Sequence, residues 1–286
     1  MKVIDAHMHL SHIDSFKETA ATRSFVDYSV EGLLREYAMQ GVVLGIGMGL
    51  TESAPRGFPD REAATPMGLD MITEAFPKQV VYCPGVNPFK LGNAGLDELE
   101  RALQQPEAVG IKIYLGYYPF YAYDSVYQPV YELAKQYQVP VVFHTGDTYS
   151  ERGLLKYAHP LTVDEVAVDH REVNFMMAHL GDPWVLDGTE VVYKNRNVFA
   201  DLSGLIVGNA ADCTRLKDSP LVFAHLRQAL AYGGQYEKML FGTDWPLAPV
   251  EPYLQFVREL IPESSHDDVF YRTALRVVPK IAPLVG

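Results

Sequence analysis

The stretch KVIDAHMHL, residues 2–10, places His7 and His9 two positions apart at the end of a short apolar run. In a strand, residues i and i+2 share a face, about 7 Å apart along the backbone, so two imidazoles can converge on one metal ion. Alone the pattern is weak, because imidazole serves many roles. The chain repeats it. PVVFHTG delivers His144, NFMMAHLG delivers His179 and KMLFGTDWP delivers Asp244, each at the end of an apolar run. Strand ends that each present a His or an Asp point to one shared site.

Working outward, apolar runs recur at 3–10, 42–48, 80–86, 109–115, 139–145, 173–180, 197–203 and 238–244. Between them lie stretches with apolar residues at helical spacing, over 30–40, 66–76, 96–105, 126–137, 162–170, 183–194, 220–232 and 250–260. Strands that alternate with helices must pair in parallel, since each return needs a crossover. The pattern predicts an α/β fold, a (β/α)8 TIM barrel forming a single domain over 1–286, with an additional C-terminal helix from Ser264. Thr162 and Glu165 have the spacing of a capping box at a helix start. The irregular stretches 11–28, 51–64, 116–124, 146–160 and 204–218 follow strand ends and are expected over the mouth of the barrel. The aromatic run Tyr117–Tyr123 is either a pocket wall or a packed plug.

Composition sets the outer limits. The formal net charge of −12 argues against nucleic acid and against an anionic membrane surface. Cys83 and Cys213 form no CxxC pair, so buried thiols are expected and a disulfide framework is not. No signal-peptide pattern or bilayer-length apolar run is evident, and a cytoplasmic protein is expected. A homo-oligomer is left open.

Parity predicts which side chains enter the barrel. If Ile111 and Ile113 pack outward, Lys112 and Tyr114 face inward. The same alternation groups Asp5, His7 and His9, and pairs His144 with Val142, His179 with Met177 and Asp244 with Gly242. Ionisable groups gathered inside a barrel need partners or a cation. Nitrogen donors with one carboxylate suit zinc best, with manganese, iron or cobalt as alternatives.

DAHMHL, FHTG, AHLG and FGTDWP together resemble the metal-binding motifs of the amidohydrolase superfamily, in its amidohydrolase-related (amidohydrolase 2) branch. The resemblance runs from Val3 to about Pro246, in the family's order. It implies a divalent metal held by His7, His9, His144 and Asp244, with Asp244 also able to take a proton from the attacking water. It implies that His179 is a catalytic acid, base or electrophile beside that water, or a second-metal ligand in two-metal relatives. Lys112 stands where some relatives carry a carbamylated lysine; the reading favoured here is an unmodified ammonium that grips a substrate carboxylate. The implied function is a metal-dependent hydrolase acting on an amide, lactone or related small carboxylate through a metal-activated water. The alternative is a lyase, a non-oxidative decarboxylase resembling aminocarboxymuconate semialdehyde decarboxylase. A non-catalytic barrel would predict a missing ligand, and none is missing. A TatD-type nuclease would need a glutamate where VGIKIYLG has Lys112.

Among the remaining residues, Asp5 is expected to orient a ligand or to form a salt bridge or turn. Trp245 and Pro246 are expected to fix the loop after Asp244. Arg56, Arg61 and Arg152 are candidates to clamp an anionic substrate. His12 and His159 are read as solvated, and His170, His225 and His266 are given no role. The family's closing Asn-Ala pair is replaced by Thr273-Ala274.

Overall fold

The computed structural model describes residues 2–285. Parallel strands follow one another in chain order: β1 (Val3–Met8), β2 (Val42–Met48), β3 (Val80–Cys83), β4 (Gly85–Val86), β5 (Ile111–Ile113), β6 (Val141–Phe143), β7 (Phe175–Met177), β8 (Val198–Asp201) and β9 (Met239–Leu240). β3 and β4 are halves of one barrel strand, separated at Pro84, whose ring carries no donor for a ladder bond. The ring closes between the last strand and the first. Ala6 N donates to Phe241 O at 2.8 Å, and Asp244 N donates to His7 O at 2.8 Å. The fold is a TIM barrel, as the eight expected runs require.

The helices are α1 (Asp14–Thr19), α2 (Val30–Gln40), α3 (Asn93–Leu103), α4 (Gln128–Tyr137), α5 (Leu161–Asp169), α6 (Val185–Lys194), α7 (Ala210–Lys217), α8 (Pro220–Gly233), α9 (Val250–Leu260) and α10 (Thr273–Val277). Their boundaries have local causes. In α2 the Ser29 hydroxyl accepts from Gly32 N, and Gly41 ends the helix in the left-handed conformation with φ 68°. In α9 the buried residues Val250, Tyr253, Leu254, Val257 and Leu260 repeat at three and four, which lays one face on the sheet.

Two cores result. Between sheet and helices lie residues such as Ile111, Ile113, Phe143, Phe175 and Leu254. Inside the barrel lie Ile4, Leu44, Val142, Met176 and Leu240, joined by Val277 and Ile281 from the C-terminal segment. The expected extra helix is therefore α10 with its flanking turns, and it closes the floor of the barrel. Thr273 is buried there and donates to Glu237 O at 2.7 Å.

Four local expectations fail. No helix forms over 66–76, because Met67 exchanges two backbone hydrogen bonds with Gly85 and Leu50 N donates to Gly68 O. Met67 and Leu69 are buried at strand spacing, which the helical reading misjudged. The stretch 11–28 is not irregular throughout, since α1 runs into a π-helical turn over 20–24, and 204–218 contains α7. Thr162 caps nothing; α5 begins at Leu161, and the Thr162 hydroxyl accepts from Ala122 N at 2.9 Å. Among the described residues no helix is long and apolar enough to cross a membrane. Cys83 and Cys213 are free and buried, as expected.

Candidate active site

A cavity of about 500 Å³ opens at the C-terminal end of the strands, and His7, His9, Lys112, His144, His179 and Asp244 all line it. The backbone brings them there by different routes. Lys112 follows simple alternation: Ile111 and Ile113 lie in the outer core, and Lys112 faces in. Strict alternation fails in β1. Asp5 pairs with Gly45 but Met8 pairs with Gly47, so β1 holds one extra residue, a bulge. Ile4 and Ala6 face the barrel interior, and past the bulge His7 and His9 do too. Asp5 turns the other way. Its carboxylate accepts from Tyr37 Oη of α2 at 2.9 Å and from Thr243 Oγ1 at 2.7 Å. Among the described residues no imidazole nitrogen donates to it, and it steadies backbone, accepting also from His7 N at 3.2 Å and Thr243 N at 3.0 Å.

His179 is likewise out of phase. Met176, not Met177, faces the barrel interior, and His179 reaches the cavity because it and Leu180 adopt φ of 63° and 48°. Such backbone is uncommon for residues other than glycine and is held here by contacts. His179 N donates to Asp201 Oδ1 at 3.0 Å, and His179 Nδ1 donates to Ser203 O at 3.0 Å. That leaves Nε2 as the basic nitrogen.

Asp201, on β8, is the residue that sequence reasoning missed. It is fully buried and accepts from His7 Nδ1 at 2.9 Å, from Ser203 Oγ at 2.5 Å and from Ser203 N at 3.1 Å. Burial would raise its pKa, but His7 and the other donors hold it well below the ordinary carboxylate range. The signal was present: an acid inside the apolar run NVFADLS, two residues from Phe199, which faces the barrel interior.

Two sets of three donor atoms lie within 4.8 Å of one another: His7, His9, Asp244, and His7, His179, Asp201. Hydrogen bonding separates them. Asp201 already accepts from four donors, whereas Asp244 Oδ1 is buried without a hydrogen-bond partner. That oxygen lies 3.2 Å from His9 Nε2 and 3.5 Å from His7 Nε2. With its Nδ1 proton given to Asp201, His7 turns an Nε2 lone pair toward Asp244. Lone pairs converging on a buried carboxylate oxygen without a donor fit a cation. Burial would raise the pKa of Asp244, but His179, His9 and His7 hold it well below the ordinary range. Burial and then Lys112 push His7 down to about 4, and burial and then His179 push His144 well below an ordinary imidazole. Neutral imidazoles are the form a metal binds.

His144 stands outside both sets of three. Its Nε2 donates to Asp147 O at 2.8 Å, which leaves Nδ1 free, and its ring centre is 5.1 Å from that of His179. Gly204 shows how tightly the site is built. At φ 65°, a Cβ there would come within 2.4 Å of His179 Nδ1 and 2.9 Å of Asp244 Oδ2. Lys112 Nζ is buried without a hydrogen-bond partner, and burial lowers its pKa to about 8.

The walls divide the aromatic run. Tyr117 lines the cavity with Phe58, their ring centres 4.6 Å apart. Tyr118 is instead a buried strut, its hydroxyl donating to Asp60 O at 2.9 Å, and Tyr121 stacks on Tyr123 away from the cavity. Trp245 is fully buried and donates to Glu36 at 3.1 Å, so it does fix the loop after Asp244. His159 faces Asp187, and His170 meets Gln128, both away from the cavity.

The arginines expected to clamp an anionic substrate have neighbours of their own. Arg56 faces Glu18 at 3.8 Å, and Arg152 donates to the carbonyls of Arg56 and Phe58. Arg61 lies over the Phe89 ring.

The family model described as amidohydrolase matches residues 4–280. The chain belongs to this amidohydrolase family. The chain matches no curated protein by sequence. Its fold is similar to that of an uncharacterized TIM-barrel protein from Bordetella bronchiseptica, at 18% identity and TM-score 0.69, over 98% of this chain and 99% of that one. It is similar to 5-carboxyvanillate decarboxylase from Sphingomonas paucimobilis, at 17% identity and TM-score 0.62, over 97% and 99%. It is also similar to a probable 2-pyrone-4,6-dicarboxylic acid hydrolase from Acinetobacter baumannii with citric acid bound, at 16% identity and TM-score 0.65, over 98% and 100%.

Proposed function

We propose that this amidohydrolase, with residues 1–286 as one catalytic domain, is a metal-dependent hydrolase of a carboxylate-bearing small molecule containing an amide or lactone bond. The observation that carries the reading is Lys112: a buried ammonium without a partner, facing a cavity that also holds a His/Asp donor set. A buried cation of this kind is costly unless a ligand supplies the missing charge. A substrate carboxylate does so.

His7, His9 and Asp244 would hold the metal, with His144, which lies outside that set but lines the same cavity, as the fourth donor that the family resemblance implies, and zinc the ion that best suits them. A divalent ion supplies Lewis-acid activation of water or of a substrate oxygen. The chain's own residues do the rest. Asp201 fixes the His7 ring through Nδ1. His179 carries its basic Nε2 beside the donor set and moves the proton between the attacking water and the leaving group. Tyr117 and Phe58 provide flat apolar walls, and Lys112 anchors the carboxylate.

A second reading, decarboxylation, uses the same residues. The flat walls suit a conjugated ring, and the similar Sphingomonas protein is a decarboxylase. The test is metal analysis of the purified protein, then a screen over lactones, amides and carboxylated enols with carbon dioxide measured in parallel. Hydrolysis without carbon dioxide release is expected. His179→Gln should lower kcat by at least about 100-fold with metal content retained, and Lys112→Met should chiefly raise KM for carboxylated substrates. Loss of the metal in His179→Gln would reassign that residue as a ligand.

A further inference from the structure

Beyond the strand ends the cavity wall carries more acid than base. Glu18, Glu52, Asp147, Glu151 and Asp182 line it, against Arg56 and Arg152. The arginines are engaged by Glu18 and by backbone carbonyls. Glu52 is engaged as well, accepting from Asp14 N at 3.2 Å and Phe58 N at 2.9 Å. Asp147 and Asp182 differ. Asp147 N donates to Asp182 O at 2.7 Å, so the two segments are tied together, yet among the described residues no donor reaches either carboxylate. Asp182 is half-buried. Burial and, behind it, the charge of Asp147 push the Asp182 carboxyl up, and a cation relieves both where a neutral hydroxyl would not. A second, independent observation points into the same cavity: Lys112 Nζ, buried and without a partner.

We infer that the site selects a substrate with two unlike ends, a carboxylate held by Lys112 and an ammonium group held by Asp147 and Asp182. This rests on the reading of Lys112 given above. It makes Asp147 and Asp182 specificity-determining residues, since a second carboxylate at that end would meet two acids.

Calorimetric titration of the purified protein tests it with straight-chain probes of four to six carbons: aminoalkanoates with a terminal amine, plain alkanoates and α,ω-dicarboxylates. The best aminoalkanoate should bind about ten-fold more tightly than the dicarboxylate and the alkanoate of equal length. Asp147→Asn, at an exposed position, should reduce that preference, and Asp147→Asn/Asp182→Asn should bring the three within about two-fold. Equal or tighter binding of the dicarboxylate to the unaltered protein would overturn the inference, as would a preference unchanged in both variants or no binding of any probe. Lys112→Met should weaken all three classes. If it does not, the carboxylate anchor fails; if only the amine preference is missing, the anchor stands and the two-ended substrate falls.

Discussion

Asp201 and Gly204 act on the site without offering a donor atom to the proposed ion. Asp201 accepts the His7 Nδ1 proton at 2.9 Å and so chooses which nitrogen His7 presents to Asp244. Asp201→Asn should weaken metal binding about 10- to 100-fold with the circular dichroism spectrum unchanged, because carboxylates behind ligating histidines carry effects of that size. Competition with a chelator reads it; unchanged affinity would show that Ser203 and the backbone suffice to hold the ring. Gly204→Ala acts by volume. A methyl group within 2.4 Å of His179 Nδ1 must displace that ring, and the left-handed φ of 65° adds strain. Activity should collapse by more than about 100-fold, with a stability loss on the order of 1 kcal/mol. Near-normal turnover would mean that His179 tolerates the shift.

At the scale of elements, irregular pieces aim the side chains and regular ones support them. The bulge in β1 turns Asp5 toward α2 while keeping His7 and His9 in the cavity. Glu36 of α2 ties the end of the barrel to α9, accepting from Trp245 Nε1 at 3.1 Å and from Val250 N at 2.7 Å. At the opposite end, the segment after Ser264 seals the floor with Val277 and Ile281 against the inner strand residues. Ile281 is fully buried, so Ile281→Ala should cost about 2–5 kcal/mol in denaturant unfolding. The candidate metal site lies at the other mouth, so metal affinity in the folded variant should not change. A loss below about 0.5 kcal/mol would show that the tail is only loosely seated.

For the whole molecule, the gathered imidazoles imply a pH dependence of stability. Burial holds His7 down to about 4, against an ordinary 6.5, and holds His144 well below that ordinary value. As pH falls through 6.5 the unfolded chain takes up protons that the folded chain refuses. These rings should therefore contribute stability to the chelated protein that is full above pH 6.5 and declines as pH falls toward 4, opposed in that window by Asp5, whose pKa burial raises to about 7. The difference in denaturant midpoint between the unaltered protein and His7→Gln, measured across that range, checks it; a difference independent of pH would show that His7 is charged in the folded state. His7→Gln should flatten part of the decline.

Eight apolar runs with interleaved amphipathic stretches determined the barrel, because periodicity and crossover length are local properties of the chain. The same runs displayed His7, His9, Lys112, His144, His179 and Asp244, since strand ends of a closed barrel share one mouth whatever the loops do. Tertiary structure decided the rest. It replaced the helix expected over 66–76 with bridges at Met67 and Leu69 followed by a turn, because pairing with Gly85 competes with a helix and sequence spacing does not record the competitor. It inverted the parity of Asp5 and brought Met176 inward in place of Met177, because a bulge and left-handed residues are held by distant partners. It also revealed Asp201 behind His7 and bound Arg152 to carbonyls of Arg56 and Phe58. Those pairings join residues up to 194 positions apart, and only the folded chain brings such donors and acceptors within hydrogen-bond reach.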